Sequence, residues 1–350
     1  MVGRLVALDL PGGPDFIEEL QRIWANGDAA FPVDQRFPEA AQQRICAAMR
    51  VGDDVGPGDA LVVATSGSTG TPKGVVLTHD AVAASAEATS TRLGVGAGDH
   101  WLACLPLAHV GGLSVVTRAL HAGTTLTVLP AFEAAAVDAS DANLVSLVAT
   151  ALPRIDATRF RTIVLGGALP PADRPANAVT TYGLTETGSG VVYDGIPLDG
   201  VDIEIGPDRE IWVRGPMLTR GYRNGDSPIT TDGWLPTGDL GGWTDDGRLH
   251  VDGRKGDLII SGGENIWPEA VEALVAAHPD VADVMARGVD DAEWGQIVEV
   301  VVVPVPGRTP DLESIRLHVK QSAPSYLAPK SLILVELLSR TALGKLRRSV

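Results

Sequence analysis

The sequence predicts an α/β protein with a large, multi-layer N-terminal domain and a smaller α+β C-terminal domain. Apolar segments of strand length alternate with helical segments as far as Val201, and several of these strands end in glycine or polar loops. After Val201 short β-like segments are separated by Gly and Asp turns, and the pattern restarts after Arg254. Such alternation favours a sheet covered by helices, with a site assembled at the strand ends. We expect domains at residues 1–253 and 254–350.

The composition restricts the classes of partner. The chain has 350 residues, 45% of them hydrophobic, and a formal net charge of -16, which argues against a basic surface that binds nucleic acid. Its two cysteines, Cys46 and Cys104, suit a reducing compartment. The N-terminus lacks the apolar core of a signal peptide, and no apolar run reaches the length of a membrane span. These features predict a cytoplasmic protein without membrane insertion.

The first part of the chain carries the alternating elements. Pro14 suits the first turn of a helix, since Phe16, Leu20, Ile23 and Trp24 then share one face. A second helix is expected from Asp80 to Gly94, and a third ends near His121. The predicted strands of this part are Val2–Leu10, Ala60–Ala64, His100–Pro106, Thr124–Pro130, Thr162–Leu165 and Ala178–Tyr182.

The remainder predicts shorter strands and one further helix, which opens at Pro268. The predicted strands here are Val201–Ile205, Glu210–Val213, Leu249–Asp252, Leu258–Ile260, Val281–Ala286 and Ile297–Val303.

A loop rich in Gly, Ser and Thr follows the strand at Ala60 and runs from Thr65 to Gly74. Glycines let backbone N–H groups approach an anion, hydroxyls add donors, and Lys73 adds a positive charge, so the loop suits a polyphosphate. It is not the usual P-loop, because Pro72 and Gly74 flank the lysine. The simpler interpretation is a flexible surface loop.

This loop resembles the signature of the adenylate-forming superfamily, which includes acyl-CoA synthetases and the adenylation domains of peptide synthetases. The resemblance continues in order over nearly the whole chain. The further matching segments are Leu105–His109, Gly166–Ala168, Thr181–Glu186, Arg214–Tyr222, Thr237–Asp239, Gly253–Arg254, Ser261–Ile266 and Thr341–Lys345. The fold implied is that of adenylate-forming enzymes, shortened at the N-terminus, with Phe31–Asp34 similar to a common segment of the large domain.

The resemblance implies ATP and Mg²⁺ as cofactors and a role for each matching residue. Glu186 would bind Mg²⁺, a cation that prefers oxygen ligands, and Asp239 would accept hydrogen bonds from the ribose beside Arg254. Lys345 would stabilise the charge that develops when a carboxylate attacks the α-phosphate. The catalytic residues implied are Lys345, Lys73, Thr185 and Glu186. The ATP-binding residues implied are Thr65, Ser66, Gly67, Ser68, Thr69, Gly70, Lys73, Gly166, Gly167, Ala168, Thr181, Tyr182, Gly183, Thr185, Asp239, Arg254 and Lys345.

Each of these residues also has a simpler interpretation. Asp239 alone is a turn residue, Glu186 a surface acid, and His109 a structural histidine. Lys345 alone belongs to a solvated charge run that continues to Arg348. The shared order and spacing favour the functional interpretation. Gly256 stands where the family often has an acid or lysine at the hinge, and glycine permits the φ/ψ change that a hinge requires.

The segment after Leu105 bears on the acid substrate. Ala108–Leu113 contains no acid to pair with an ammonium group, which disfavours an amino acid. Gly111, Ser114 and Arg118 share one helix face, and with His109 they form the predicted acid-binding residues. One hypothesis is a roomy pocket whose arginine binds a second carboxylate; the alternative is that Arg118 points to solvent.

These features resemble the o-succinylbenzoate–CoA ligases of menaquinone biosynthesis, particularly the compact actinobacterial type, which share this arginine and a stretch similar to Val192–Val201. The resemblance implies 2-succinylbenzoate and coenzyme A as substrates, with Ser261, Gly262 and Gly263 lining the coenzyme A tunnel. Three alternatives stay open: a general aryl- or medium-chain acyl-CoA ligase, an adenylation enzyme that loads a carrier protein, and a non-catalytic nucleotide-binding scaffold. Relatives are often homo-oligomers, so oligomeric state stays open too.

Overall fold

The computed structural model describes residues 3–65, 73–167, 173–340, 346 and 348. The chain divides into two compact units. Unit 1 comprises Met1–Glu204, Trp212–Thr237 and Trp243–Leu249, and unit 2 comprises Ile205–Ile211, Gly238–Gly242 and His250–Val350. The boundary predicted between residues 253 and 254 stays a prediction.

The α-helices are α1 Pro14–Ala25, α2 Glu39–Ala48, α3 His79–Leu93, α4 Val110–Ala122, α5 Ala134–Asp138, α6 Pro268–Ala276 and α7 Leu312–Ser322. The strands are β1 Leu5–Leu8, β2 Ala29–Pro32, β3 Asp59–Thr65, β4 Lys73–Thr78, β5 His100–Ala103, β6 Thr125–Val128, β7 Leu144–Val148, β8 Thr162–Gly166, β9 Ala178–Gly183, β10 Gly190–Tyr193, β11 Ile196–Pro197, β12 Asp202–Ile205, β13 Glu210–Arg214, β14 Gly221–Tyr222, β15 Leu235–Trp243, β16 Leu249–Arg254, β17 Ile259–Ser261, β18 Glu264–Ile266, β19 Val281–Asp291, β20 Gly295–Pro304 and β21 Ser331–Leu334.

One sheet of unit 1 has the order β1-β2-β3-β4-β14. Strands β1 to β3 are parallel, whereas β4 runs antiparallel to β3 and β14 antiparallel to β4. Helix α1 packs on β1 and β2 through Phe16, Leu20 and Ile23, which are buried. The predicted helix at Pro14 is therefore confirmed, and burial of its apolar face stabilises it as expected for an amphipathic helix.

The other sheet of unit 1 has the order β11-β10-β9-β8-β7-β5-β6, with β6, β5, β7, β8 and β9 all parallel. Helix α4 packs against β5, β6 and β7. Helix α3 contacts both sheets and α4, so helices lie between sheets as a multi-layer α/β fold requires. It begins where Thr78 accepts a hydrogen bond from the Ala81 N–H and ends at Gly94, whose φ is 59°.

The core of unit 2 is a sheet in the order β18-β17-β20-β19, with β21 beside β20. Helices α6 and α7 pack against each other, and α6 lies on β19. Their apolar faces, including Val271, Val275, Ile315 and Val319, are buried against Val300 and its neighbours in the sheet. The α+β character predicted for this part is confirmed. Strands β12, β13, β15 and β16 form a further sheet in that order.

Several predicted bounds were wrong. The strand predicted at Val2–Leu10 spans only Leu5–Leu8, and the one predicted at His100–Pro106 ends at Ala103. Leu105, Pro106 and Leu107 lie instead in a turn before α4, where the proline cannot donate a ladder hydrogen bond. No helix among the described residues combines the length and apolarity needed to cross a membrane.

Candidate active site

Part of the predicted site lies outside the described residues. The predicted residues concerned are Ser66, Gly67, Ser68, Thr69, Gly70, Ala168 and Lys345. The other predicted residues fall within unit 1 or unit 2.

The two ends of the Gly/Ser/Thr loop lie side by side. Thr65 closes β3 and Lys73 opens β4, and the two residues are paired in the antiparallel register. The Thr65 hydroxyl donates to the Lys73 carbonyl oxygen over 3.4 Å. The Lys73 side chain is exposed, which leaves its ammonium accessible to an anion. The antiparallel pair therefore brings Thr65 and Lys73 together at one end of the two strands.

Glu186 lies in a short 3₁₀ turn, Thr185–Thr187, directly after β9. The Thr187 hydroxyl is buried and accepts from the Leu184 N–H over 2.9 Å, while it donates to the Ser189 carbonyl over 2.7 Å. The Glu186 carbonyl accepts from the Thr219 N–H over 2.7 Å. These bonds fix the backbone of the turn, so the direction of the half-buried Glu186 carboxylate is constrained.

Tyr222 joins Glu186 to Lys73. Its hydroxyl donates to Glu186 Oε1 over 2.9 Å, and Lys73 Nζ lies 4.9 Å from the centroid of its ring. The structure thus brings together two predicted site residues from distant parts of the chain. Sequence reasoning placed Tyr222 in a matching segment and gave it no role.

The surroundings of Glu186 suit a magnesium ion that takes most of its ligands from substrate and water. They do not suit a metal ion whose ligands all come from the protein. Among the described residues, no group of three or more His, Cys, Asp or Glu could hold a metal. Mg²⁺ commonly takes one or two carboxylates and completes its shell with substrate phosphates and water. A single carboxylate with one oxygen engaged by Tyr222 suits that kind of binding.

The predicted adenine-side residues meet where β8 and β9 end. These strands are parallel, so Gly166 and Tyr182 lie at the same edge of the sheet. The Thr181 hydroxyl donates to the Leu165 carbonyl over 3.2 Å, and a Cβ at Gly166 would lie 3.0 Å from that hydroxyl oxygen. Gly167 has a φ of 85°, which favours glycine. Gly166 and Gly167 therefore keep this edge free of bulky side chains, so that a ligand could approach the backbone closely.

His109 stands at the start of α4 beside an acid and an arginine. Its Nε2 lies 3.3 Å from Asp34 Oδ2 and 2.9 Å from Arg36 Nη2. Burial acts to raise the pKa of Asp34, but hydrogen bonds from Arg36 and His109 outweigh it and hold that pKa well below its usual range. Asp34 is therefore ionised and orients the imidazole. Its role was missed, although the segment that contains it had been singled out.

The four predicted acid-binding residues lie just before α4 or within it, and Arg118 is the most deeply buried of them. Its side chain is only 2% exposed, which excludes the alternative that it points to solvent. Its Nη2 donates to the hydroxyls of Ser114, at 3.3 Å, and Ser189, at 3.1 Å, and its Cζ lies 4.8 Å from the centroid of the Trp101 ring. Its Nη1 is buried and has no hydrogen-bond partner among the described residues.

In unit 2, Asp239 and Arg254 form a close pair. Arg254 Nε lies 2.8 Å from Asp239 Oδ1, and the Asp239 side chain is 9% exposed. Gly238, with a φ of 73°, donates its N–H to Glu210 Oε1 over 2.9 Å. Asp239 is thus more than an exposed turn residue, because its carboxylate is held in one orientation by a cation.

Ser261, Gly262 and Gly263 form the turn that joins β17 to β18 in unit 2. Gly262 and Gly263 have φ values of 60° and 87°, and Ser261 is 7% exposed. A Cβ at Gly262 would lie 2.6 Å from the Trp294 ring, so this glycine is required for packing as well as for conformation.

Arg348 corrects the simpler interpretation of the C-terminal charge run. Its Nη2 lies 2.9 Å from both Glu269 Oε1 and Glu272 Oε1, and its Nη1 lies 3.3 Å from Asp257 Oδ2. Burial raises the pKa of Glu272 despite the nearby guanidinium. Arg348 therefore anchors the end of the chain to α6 rather than extending into solvent.

Sequence comparison connects this arrangement to known proteins. A profile described as AMP-binding enzyme matches residues 50–223, and one described as AMP-binding enzyme C-terminal domain matches residues 270–345. A probable 2-succinylbenzoate–CoA ligase from Mycobacterium tuberculosis is 36% identical over 98% of this chain and 96% of its own length. The chain belongs to the AMP-binding enzyme family.

Other AMP-binding enzymes are similar over most of the chain. An indoleacetate–CoA ligase from Aromatoleum aromaticum is 35% identical and covers 89% of this chain and 70% of its own. The o-succinylbenzoate CoA synthetase of Bacillus subtilis, solved with the acyl-adenylate intermediate OSB-AMP, is 26% identical with a TM-score of 0.86, and the match covers 99% of this chain and 87% of the other. The same synthetase with ATP and magnesium is 27% identical, with a TM-score of 0.82 over 99% and 89%. The predicted adenylate-forming enzyme fold is confirmed.

Proposed function

We propose that this AMP-binding enzyme is an AMP-forming acid–CoA ligase that uses ATP and Mg²⁺ to adenylate 2-succinylbenzoate and then transfers the acyl group to coenzyme A. The near full-length similarity to a probable 2-succinylbenzoate–CoA ligase supports the activity. The similarity to a synthetase solved with OSB-AMP, and with ATP and magnesium, supports the substrate and the cofactors.

The chemistry needs positioning and charge neutralisation more than bond-making by the protein. A carboxylate oxygen of the acid attacks the α-phosphorus of ATP and pyrophosphate leaves; the coenzyme A thiol then attacks the acyl carbon and AMP leaves. Both partners of the first step are anions, so a cation beside the phosphates lowers the barrier. Lys73 supplies an exposed positive charge, and Glu186 would hold Mg²⁺, which neutralises phosphate charge when bound.

The observation that carries the substrate assignment is the unpartnered Nη1 of the buried Arg118. Burial lowers the pKa of Arg118, yet a guanidinium remains protonated in proteins, so the protein holds a positive charge that serine hydroxyls only partly satisfy. A carboxylate would supply both the missing acceptor and the missing charge. 2-Succinylbenzoate is a diacid, so its second carboxylate remains free for this contact when the first is adenylated.

The cavity lined by Ser114 is much smaller than the roomy pocket that the sequence suggested. That cavity has a volume of about 10 Å³, which is close to the space of one water molecule. Val110, Leu113 and Thr117 also line it. Arg118 does not line this cavity, and the cavity is too small to hold an aromatic diacid.

A general aryl-acid–CoA ligase is the second candidate, and the 35% identity to an indoleacetate–CoA ligase favours it. Such an enzyme would act on a monoacid, for which a buried guanidinium has no use. The two candidates are therefore separated by whether a second carboxylate is needed.

The deciding experiment measures pyrophosphate release and acyl-CoA formation by the purified protein with ATP, Mg²⁺ and coenzyme A. We expect 2-succinylbenzoate to be preferred over indoleacetate, benzoate and octanoate, with thioester formation that depends on coenzyme A. Equal activity on the monoacids would favour the second candidate, and pyrophosphate release without acyl-CoA would point to a carrier protein as acceptor.

The cellular setting stays a prediction. A cytoplasmic location is expected from the sequence, and the oligomeric state stays open. Size-exclusion chromatography with light scattering would determine the oligomeric state directly.

A further inference from the structure

Tyr222 makes contacts with two predicted site residues and has no assigned role. Its hydroxyl donates to Glu186 Oε1 over 2.9 Å. The other carboxylate oxygen, Oε2, has no hydrogen-bond partner in the part of the chain that the structure describes. The bond therefore fixes the plane of the carboxylate and leaves one oxygen for a cation.

The ring of the same tyrosine lies against Lys73. Tyr222 is paired with Val75 across β14 and β4, and Lys73 is two residues before Val75 on the same face of β4. Diagonal neighbours of this kind are within reach of long side chains in an antiparallel pair. The resulting distance from Lys73 Nζ to the ring centroid is 4.9 Å, which is within the range of a cation–π contact.

The backbone beside Tyr222 supports the same arrangement. Thr219 donates its N–H to the Glu186 carbonyl over 2.7 Å and its hydroxyl to the Val76 carbonyl over 2.7 Å. Arg223 donates its N–H to the Gly74 carbonyl over 2.7 Å. The segment from Thr219 to Arg223 therefore ties the Glu186 turn to the strand that begins with Lys73.

We propose that Tyr222 is a positioning residue of this site: its hydroxyl orients the Glu186 carboxylate for Mg²⁺, and its ring holds Lys73 beside the same phosphates. The proposal rests on the proposed function, because it assumes that ATP and Mg²⁺ bind here. Partners that orient a metal-binding side chain typically contribute a factor of about 10 to 100 in metal affinity or activity.

The first test is Tyr222→Phe, which removes the hydroxyl and keeps the ring. We expect calorimetric titration of ATP at a series of Mg²⁺ concentrations to require about tenfold more Mg²⁺ for the same affinity. ATP binding in the presence of EDTA should equal that of the wild type, and the melting temperature should be unchanged. An unchanged Mg²⁺ dependence would overturn the role of the hydroxyl. Tyr326→Phe, at an exposed tyrosine in unit 2, is the matched control and should behave as the wild type.

The second test is Tyr222→Leu, which also removes the ring. Loss of the contact with Lys73 should weaken ATP binding by a further factor of about two to five, with Mg²⁺ and with EDTA alike. If Tyr222→Leu binds ATP as Tyr222→Phe does, the ring has no role in holding Lys73.

The binding measurement separates this proposal from the proposed function, since it needs no acid substrate. A wild-type protein that binds ATP with Mg²⁺ but ligates none of the tested acids would lose the ligase assignment and keep Tyr222 testable. In kinetics, Tyr222→Phe should raise the KM for Mg²⁺ and leave the KM for 2-succinylbenzoate within about twofold. Absence of Mg²⁺-dependent ATP binding in the wild type would overturn both proposals.

Discussion

At the residue scale, Arg118 shows how burial changes the solvation of a charged side chain. A guanidinium that is 2% exposed and stacked on Trp101 has lost most of its hydration, and the hydroxyls of Ser114 and Ser189 replace only part of it. Leaving one nitrogen without a partner is unfavourable in the free protein. An anionic ligand would recover that free energy on binding, so we expect the arginine to give selectivity as well as affinity.

Arg118→Ala should raise the KM for 2-succinylbenzoate about 10- to 100-fold, since a hydrogen bond to a charged group contributes about 1.5–3 kcal/mol. The KM for benzoate should change little, because a monoacid has no second carboxylate. Steady-state kinetics on both acids is the measurement, with Arg44→Ala on the exposed face of α2 as the control. Arg118→Met, which keeps apolar volume against Trp101, guards against an effect of misfolding. Equal losses on both acids would contradict the role.

Residues whose role depends on a distant partner were the hardest to predict. Lys73 and Glu186 were predicted as site residues because each lies in a recognisable local segment. Asp34 and Tyr222 act through contacts with His109 and Glu186, which lie 75 and 36 positions away in the sequence. Local pattern contains no information on such pairs, so only the fold reveals them.

At the scale of elements, the start of α4 shows two neighbouring glycines with different requirements. A Cβ at Gly112 would lie 2.4 Å from the Leu105 carbonyl oxygen and 2.6 Å from that of Pro106. At Gly111 the nearest atom would be Leu105 Cδ1 at 3.7 Å, an ordinary contact, and the residue is exposed. Gly112, which was not singled out from the sequence, is therefore the one that sets how closely α4 approaches the preceding turn.

Gly112→Ala should destabilise unit 1 by about 1–3 kcal/mol, the usual range for overpacking against backbone that cannot move aside. Gly111→Ala should be neutral or stabilise by up to about 1 kcal/mol, since alanine restricts the unfolded chain. Thermal unfolding of the two variants beside the wild type is the measurement. Similar melting temperatures for all three proteins would show that the turn from Leu105 to Ala108 shifts freely.

The elements that the sequence predicted well had clear ends. Helix α3 is one, with Thr78 at its start and Gly94 after its end. Strand β4 was missed because the Gly/Ser/Thr loop before it and the helix after it left only Lys73–Thr78 between them. The sequence therefore did not predict its antiparallel pairing with β3 either. A short segment between a clear loop and a clear helix becomes a strand because of its partners in the sheet, and its own composition does not predict it.

At the scale of the whole molecule, some of the predicted site residues belong to unit 1 and others to unit 2. Unit 1 contains Lys73, Glu186 and Arg118, whereas unit 2 contains the Asp239–Arg254 pair and the turn Ser261–Gly263. Lys345 lies outside the described residues, yet Leu346 pairs with Arg340 and Arg348 is bound by acids of α6. Unit 2 thus anchors the chain on both sides of the predicted catalytic lysine.

Lys345→Ala should damage adenylation by about 100- to 1000-fold, as loss of one electrostatic contact in the transition state typically does. Thioester formation from supplied acyl-AMP should be affected far less, because the thiol attacks the acyl carbon in that step and no bond to the α-phosphorus forms. The two half-reactions are measured separately, with Lys320→Ala on the exposed face of α7 as the control. A parallel fall in both would contradict the assignment of Lys345 to the first step alone.

The open side of Gly111 has a consequence for redesign. It lies one helical turn before Ser114, in the group of residues predicted to bind the acid, and its backbone tolerates a side chain. Larger residues introduced there are expected to narrow the predicted acyl site without disturbing the packing that Gly112 maintains. A small library at this single position is therefore an economical route to ligases with altered acid preference.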